Sequence, residues 1–380
     1  MNITIIGWYG TETTGDRAIL AGIFRTLSHI YKEFDVKLGA LFPPLSQRTI
    51  LQDSEFFLQC SDNCIRSFEV FDTLSPSELK SYVNKSDLLM IGGGPLMDIP
   101  QMYMLDHAFK LANKRGIPAI VMGCGVGPLN TDEYKSVTAS IFKKADRIIL
   151  RDSNSLEKLR TMMGENTEAV SAIDPAVFAA DFYNKSVKNT PTSEESYIAI
   201  NFRDMALDPS YGHSEAYEQK FCDLVQAIAN AWEYPVHLVP MHTFDIGGDD
   251  REILTRIWLK LGAPDQIKVE QKPLSLVETM KLYKNAKICI GMRFHAVLLQ
   301  TILNGSNYVL DYTDAQNGKI QSLIKDLGIG SDLEHRYVSL LKGNLSTLNL
   351  TSPLKKISIS DQLINQKMSI YIDSLKSLKN

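Results

Sequence analysis

What most constrains the fold of this chain is a unit that recurs along it: a short apolar run, a glycine-bearing turn, then a stretch with helical periodicity. Its sharpest instance runs from Lys287-Ile288-Cys289-Ile290 through Gly291-Met292-Arg293-Phe294-His295 into Ala296–Leu303. A short run that is apolar on both faces suits a strand inside a parallel sheet. The turn then places a glycine, an arginine and a histidine at a strand's carboxyl end and a helix's amino end. Ligands of open α/β sheets bind there. A helix amino terminus favours an anion, and arginine adds a forked, permanently charged donor. Read alone, Arg293 serves equally well as half of an ion pair and His295 as an ordinary histidine, so the rest of the chain decides.

The unit recurs in two blocks. In the first, strands are expected at Ile3–Ile6, Val36–Leu41, Leu88–Ile91, Ala119–Met122, Arg147–Leu150 and Ala169–Ile173. Helices are expected between them at Arg17–Tyr31, Ser77–Asn84, Gln101–Arg115, Glu133–Ala145 and Asn154–Met163. From about Phe178 to Glu195 the pattern breaks into polar, turn-rich sequence, which reads as a linker. A second block follows, with strands at Tyr197–Asn201, Val236–Pro240, Ile267–Val269, Lys287–Ile290 and Tyr308–Leu310. Its helices are Glu215–Trp232, Asp250–Leu261, Leu274–Tyr283, Ala296–Leu303 and Gly318–Leu327. The tail, Ser360–Leu378, reads as one more amphipathic helix. Alternating strand and helix implies parallel sheets covered on both faces. The expected class is α/β, with two Rossmann-like domains facing across a cleft. One spans residues 1–183 and takes back the helix of 360–380; the other spans 196–350.

Composition closes off other classes. With 44% hydrophobic and 22% charged residues the chain is of the globular type, and a net charge of -4 without runs of like charge gives nucleic acid no surface. No basic segment with an apolar run precedes the first strand, and no apolar run is long enough to span a bilayer. A cytoplasmic protein is expected, with contact at the inner face of the membrane left open. The five cysteines, Cys60, Cys64, Cys124, Cys222 and Cys289, are odd in number and suggest free thiols. No histidine, cysteine and carboxylate spacing marks a metal site, and no cofactor is expected. The oligomeric state is not readable.

Four turns of the first block carry candidate residues. Gly7-Trp8-Tyr9-Gly10-Thr11-Glu12-Thr13-Thr14-Gly15-Asp16 is glycine-rich and opens a helix, so Gly15 and Asp16 are candidate substrate contacts, with Asp16 equally a helix cap. It is neither a dinucleotide fingerprint nor a triphosphate loop. Gly92-Gly93-Gly94 follows an apolar strand directly; consecutive glycines there imply close approach of a ligand or tight packing. Gly123-Cys124-Gly125-Val126-Gly127-Pro128 repeats that logic, with Gly125 a candidate contact and Cys124 a small filler. Arg151 ends a strand, and Asp152 is its natural pair. In the second block Arg203, after Asn201-Phe202, and His242, after Pro240-Met241, end strands and are candidate substrate residues. Asp245, Asp249 and Asp250 lie just beyond, the last two reading as a helix cap.

The order of these motifs resembles the polysaccharide pyruvyltransferase family. Gly15-Asp16, Gly92-Gly93-Gly94, Gly123–Pro128, Arg151-Asp152-Ser153-Asn154-Ser155, Asp174-Pro175-Ala176 and Gly291–His295 stand in the family's sequence, over roughly residues 1–330. The resemblance implies a glycosyltransferase-B-like fold, phosphoenolpyruvate as donor, and a sugar or lipid-linked oligosaccharide as acceptor. The product is then a pyruvate ketal on a surface polysaccharide or its precursor. It also implies that Arg293, His295 and Arg151 hold the donor, with Phe294 contributing backbone contact. Two segments depart from the family. Thr11–Thr14 lengthens the first loop, and Tyr312-Thr313-Asp314-Ala315-Gln316 replaces a tyrosine, aspartate, proline and lysine, with Lys319 the candidate substitute for the lysine.

That chemistry needs clamps for a carboxylate and a phosphate, which arginines supply, and an acid and a base; His295 is a candidate either to protonate C3 or only to bind the phosphate, and Asp16 a candidate acceptor contact or base. Two other readings stay open: a nucleotide-sugar glycosyltransferase of the same fold, and a non-catalytic ligand-binding relative.

Overall fold

The computed structural model describes the chain except residues 12, 187–195, 206–213, 233, 245, 314–317, 342–344, 346–353 and 379–380. It divides into two units. Unit 1 comprises Met1–Glu12, Asp16–Ala179 and Ser360–Asn380; unit 2 comprises Thr13–Gly15 and Ala180–Ile359.

The strands of unit 1 are β1 (Asn2–Ile6), β2 (Phe34–Ala40), β3 (Ile65–Asp72), β4 (Leu88–Gly92), β5 (Pro95–Leu96), β6 (Ala119–Val126), β7 (Arg147–Leu150) and β8 (Val170–Ser171). They lie in the order β3-β2-β1-β4-β6-β7-β8, with β5 on β6. Every pairing is parallel. The helices are α2 (Pro43–Cys60), α3 (Pro76–Asn84), α4 (Met102–Arg115), α5 (Asp132–Phe142) and α6 (Ser153–Met163), with most of α1 (Thr14–Ser28) and the first turn of α7 (Ala176–Ser186). Their starts carry the expected chemistry. Ser75 accepts from the amide of Glu78, Thr131 from that of Tyr134, and Asp152 from that of Ser155. The central strands β4 and β6 are buried throughout, which is why their sequences are apolar without alternation.

In unit 2 the strands are β9 (Ile198–Ile200), β10 (Val236–Leu238), β11 (Ile267–Val269), β12 (Ile288–Gly291), β13 (Asn307–Asp311) and β14 (Tyr337–Ser339). Their order is β11-β10-β9-β12-β13-β14, again all parallel. The helices are α8 (Ser214–Ala231), α9 (Asp250–Lys260), α10 (Leu276–Asn285), α11 (Phe294–Leu303) and α12 (Lys319–Leu327). A reciprocal capping box, Ser275 with Glu278, starts α10. The strand order reverses between β1 and β4 in unit 1 and between β9 and β12 in unit 2. Each reversal leaves a crevice beyond the carboxyl ends of two neighbouring strands.

Several elements differ from expectation. α2 and β3 were not anticipated. β3 is an edge strand whose Arg66 and Glu69 are exposed, so it has no apolar run to signal it. Its charges pair across the edge instead, Arg66 with Asp35 and Glu69 with Lys37. The edge strand β14 was not expected either, because Tyr337-Val338-Ser339 is too short a run to stand out. The linker reading of Phe178–Glu195 fails at its start, because α7 continues to Ser186 on buried alanines, Ala179 and Ala180; residues 187–195 lie outside the described residues.

The last helix, α13 (Asp361–Lys376), is capped by Ser360 and packs within unit 1. Tyr371 is fully buried, donates to the carbonyl of Ile173 at 2.6 Å, and meets Phe178 edge-on at 5.7 Å. Among the described residues no helix is long and apolar enough to cross a membrane. If Tyr371 is the anchor of α13, Tyr371→Phe should cost about 1 kcal/mol for the lost hydrogen bond. Tyr371→Ala should cost about 3–5 kcal/mol for the cavity. Urea unfolding reads both, and an unchanged midpoint for the alanine variant would show that the helix is held elsewhere.

Candidate functional site

The crevice of unit 2 is built around one carboxylate. Asp249, not Asp250, caps α9, accepting from the amide of Arg251 at 2.9 Å. The Asp250 side chain turns the other way and is buried. One of its oxygens, Oδ2, accepts from the amides of Met241 and His242 at 3.0 and 3.2 Å. The same carboxylate takes Arg293 in a forked pair, from Nε at 2.8 Å to each oxygen and from Nη2 at 2.5 Å to Oδ1. Among the described residues, Nη1 of Arg293 makes no hydrogen bond. Burial alone would lower the guanidinium's proton affinity; the Asp250 charge and hydrogen bond raise it.

Arg293 stands at the N-cap of α11 with extended backbone, and its own side chain does not cap the helix. Its backbone amide donates to Asn201 Oδ1 at 3.0 Å, while Asn201 Nδ2 donates to the carbonyl of Val239 at 3.0 Å. Asn201 therefore ties together the ends of β9, β10 and β12, on both sides of the strand-order reversal. In sequence Asn201 reads only as a strand-end residue. Its signal was there: a polar side chain closing the apolar run Tyr197–Ile200.

His295 occupies the first turn of α11, edge-on to Phe294 at 4.9 Å. Its ring lies against the bare Cα of Gly15, where a Cβ would come within 2.0 Å of Nδ1. The segment carrying Gly15 is fixed within unit 2. The amide of Thr14 donates to the carbonyl of Met241 at 2.9 Å, and Thr13 bridges to His242. Gly15 is thus a seat for His295, and His242 belongs to the same loop that Asp250 holds. The structure brings Gly15, His242, Arg293, Phe294 and His295 together in unit 2. Asp16 falls in unit 1 as an early residue of α1.

Arg203 joins this set from the end of β9. Its amide contacts the sulfur of Met292 at 3.4 Å, and its guanidinium carbon lies 4.5 Å from the ring centre of Tyr312. Lys319, at the start of α12, stands 5.3 Å from the same ring. The candidate substitute lysine is therefore placed beside the tyrosine. Asp245 and the Asp314-Ala315-Gln316 stretch lie outside the described residues.

In unit 1 the candidate residues meet protein. Gly93 and Gly94 have φ of +73° and +71°, which side chains rarely adopt. A Cβ there would strike Ile19 and Trp8, at 2.3 and 2.1 Å. One at Gly92 would strike Ile5 at 2.7 Å, and one at Gly125 would strike the Arg151 guanidinium at 2.8 Å. Protein atoms thus stand where a side chain at any of the four would go. Arg151 itself is buried between Asp152 and Asp174, at 3.4 Å from each. Asp152 also caps α6, and Asp174 accepts from the amide of Ala176 at 3.0 Å. Cys124 is fully buried, and burial pushes its thiol up to about 12, so it is no nucleophile. All five cysteines are free. Among the described residues no group of three or more histidine, cysteine or acidic side chains is arranged to hold a metal.

Comparison with known proteins places these motifs. The family model for polysaccharide pyruvyl transferase matches residues 14–314. The amylovoran biosynthesis protein AmsJ of Erwinia amylovora is 22% identical, over 91% of this chain and 90% of its own. Among solved structures, a putative UDP-N-acetylglucosamine 2-epimerase from Listeria monocytogenes superposes with a TM-score of 0.58 at 15% identity, covering 100% of this chain and 96% of that one. The Neisseria meningitidis UDP-GlcNAc 2-epimerase bound to UDP-GlcNAc gives 0.55 at 12%, covering 100% of both. At such identities the likeness is one of fold, and it agrees with an α/β chain of two Rossmann-like units in the glycosyltransferase-B-like class.

Two outcomes test the site's construction. Asp250→Ala should cost about 3–5 kcal/mol, because it strands a buried guanidinium. Combined with Arg293→Ala, the losses should fall short of additive by about 1 kcal/mol or more; additive losses in urea unfolding would mean the pair is not coupled. In an ordinary helix Gly→Ala gains about 1 kcal/mol. Gly15→Ala should instead lose stability and shift the His295 imidazole resonances, whereas a gain with unmoved resonances would remove Gly15 as the seat.

Proposed function

The chain belongs to the polysaccharide pyruvyl transferase family and is a pyruvyltransferase, and we propose that it moves the pyruvyl group of phosphoenolpyruvate onto two hydroxyls of a sugar. The acceptor belongs to a surface polysaccharide or to its lipid-linked precursor, and the product is a cyclic pyruvate ketal. The likeness to a protein of amylovoran biosynthesis supports this direction.

The observation that carries the reading is Arg293 at the amino terminus of α11, at the point where the strand order of unit 2 reverses. A helix amino terminus presents unpaired amides and a positive dipole end to an anion. Arg293 adds Nη1, while Asp250 keeps the rest of the guanidinium from turning away. Arg203 and Lys319 bring two further cations to the same strand ends. A small dianionic ester with a carboxylate suits such a set, since paired donors and point charges meet different oxygens. Arg151, enclosed by Asp152 and Asp174, serves in this reading as an internal support of unit 1.

Ketal formation begins when one sugar hydroxyl attacks C2 of the donor while C3 accepts a proton. His295, on the first turn of α11 and seated on Gly15, is the proton donor to C3. Attack by the second hydroxyl then breaks the bond from C2 to the phosphate oxygen, and the phosphate departs against the cations that held it.

Incubation with phosphoenolpyruvate and a panel of glycans should release phosphate only when an acceptor is present. His295→Ala should slow that release by about 100-fold or more, the usual worth of a positioned acid. Phosphate release from no acceptor, together with thermal stabilisation by a nucleotide sugar, would replace this reading with glycosyl transfer.

A further inference from the structure

One buried residue of unit 2 has no part yet in the chemistry. Tyr312 follows β13 directly and so lies at the carboxyl edge of the sheet, next to β12 and the Arg293 turn. Its backbone is held by the residue before it. Asp311 is fully buried; its carboxylate accepts from the amide and hydroxyl of Thr313 at 2.7 and 2.6 Å and from the hydroxyl of Tyr337 at 2.7 Å. That carboxylate is therefore committed to its own turn. The groups that face the Tyr312 ring among the described residues are all cations. Arg203 comes from the end of β9 at 4.5 Å and Lys319 from the start of α12 at 5.3 Å, and the charge of Arg293 also acts on the phenol. Asp249 and Asp250 act on Arg293 within this cluster.

Resting on the pyruvyl-transfer reading, we propose that Tyr312 is a catalytic residue, the base that takes the proton of the attacking sugar hydroxyl. Three converging cations are the means of holding a phenolate in a buried place. The buried Tyr9, Tyr283 and Tyr371 show the opposite case: burial pushes each phenol well up. Burial pushes Tyr312 up too, but Lys319, Arg203 and Arg293 outweigh it and bring the phenol down to about 8. The step balances. The hydroxyl O–H bond breaks as its oxygen bonds to C2, and the proton passes to the phenolate. The C2=C3 electron pair takes a proton from His295. The second hydroxyl's proton leaves with the phosphate as hydrogen phosphate, and solvent returns the proton from Tyr312 to His295.

Two measurements on the full chain test this. In ultraviolet difference titration without substrate, one phenol should ionise near pH 8 in the native protein and be missing in Tyr312→Phe. With phosphoenolpyruvate and a productive acceptor, the same value should appear as one limb of a bell-shaped profile of kcat against pH, because the active form has Tyr312 ionised and His295 protonated. Tyr312→Phe should lower kcat by about 100-fold with little change in KM for the donor. Lys319→Met retains the phenol, and should carry the optical step and the kinetic step upward together. Four results overturn the proposal: no early-ionising phenol, a Tyr312→Phe variant as fast as the native protein, optical and kinetic steps that move apart, or a KM effect alone. A native protein that turns over no acceptor overturns the pyruvyl-transfer reading and this role with it. A native protein that turns over while Tyr312→Phe keeps pace overturns this role alone.

Discussion

The crevice of unit 2 depends on the buried ion pair of Asp250 and Arg293. A carboxylate withdrawn from water is costly unless charge and hydrogen bonds surround it. Asp250 has both: two backbone amides from the Met241–His242 turn and the forked guanidinium of Arg293. One side chain thereby joins the turn after β10, the start of α9 and the cap of α11. The Met241–His242 turn in turn holds Thr13 and Thr14, which carry Gly15 beneath His295. The position of the histidine thus traces back, contact by contact, to a single aspartate.

This arrangement also explains why Arg293 can be both fixed and useful. An arginine on a flexible stem loses side-chain entropy each time it grips an anion. Asp250 fixes the Arg293 guanidinium through Nε and Nη2, so an anion bound there in the proposed reaction would not bear that ordering cost. Arg203 and Lys319 are placed differently, against the face of Tyr312, where an aromatic ring and a positive charge attract. The strand ends of unit 2 thus collect Arg203, Arg293, Lys319, His242 and His295, and the Asp250 carboxylate is spent on Arg293 and two backbone amides.

Unit 1 puts the same residue types to another purpose. Its glycine runs let β4, β6, α1 and the Trp8–Tyr9 turn approach closely, and its arginine closes the space between two aspartates. A glycine after a strand has the same appearance in sequence whether its neighbour is a ligand or an isoleucine. Gly92, Gly93, Gly94 and Gly125 could not be sorted without the atoms opposite them. Arg151 is a parallel case, since Asp152 was a visible partner but Asp174, distant in sequence, was not.

The sequence by itself determined the alternation of strand and helix, the parallel sheets, the family, and Arg293 and His295 at a strand end facing a helix start. All of these follow from local periodicity, from glycine positions and from the order of motifs along the chain. It did not reveal β3 or α2, because an exposed edge strand and a polar helix lack an apolar signature, nor β14, whose run is too short to stand out. Only the tertiary structure decided that Asp250 serves Arg293 rather than its own helix, that Asn201 ties three strand ends together, that Gly15 seats His295, and that Tyr312 meets Arg203 and Lys319. Each of those contacts joins residues from different strand ends, and strand order in a parallel sheet arises from crossovers that bring distant segments side by side. Spacing along the chain carries no record of that adjacency.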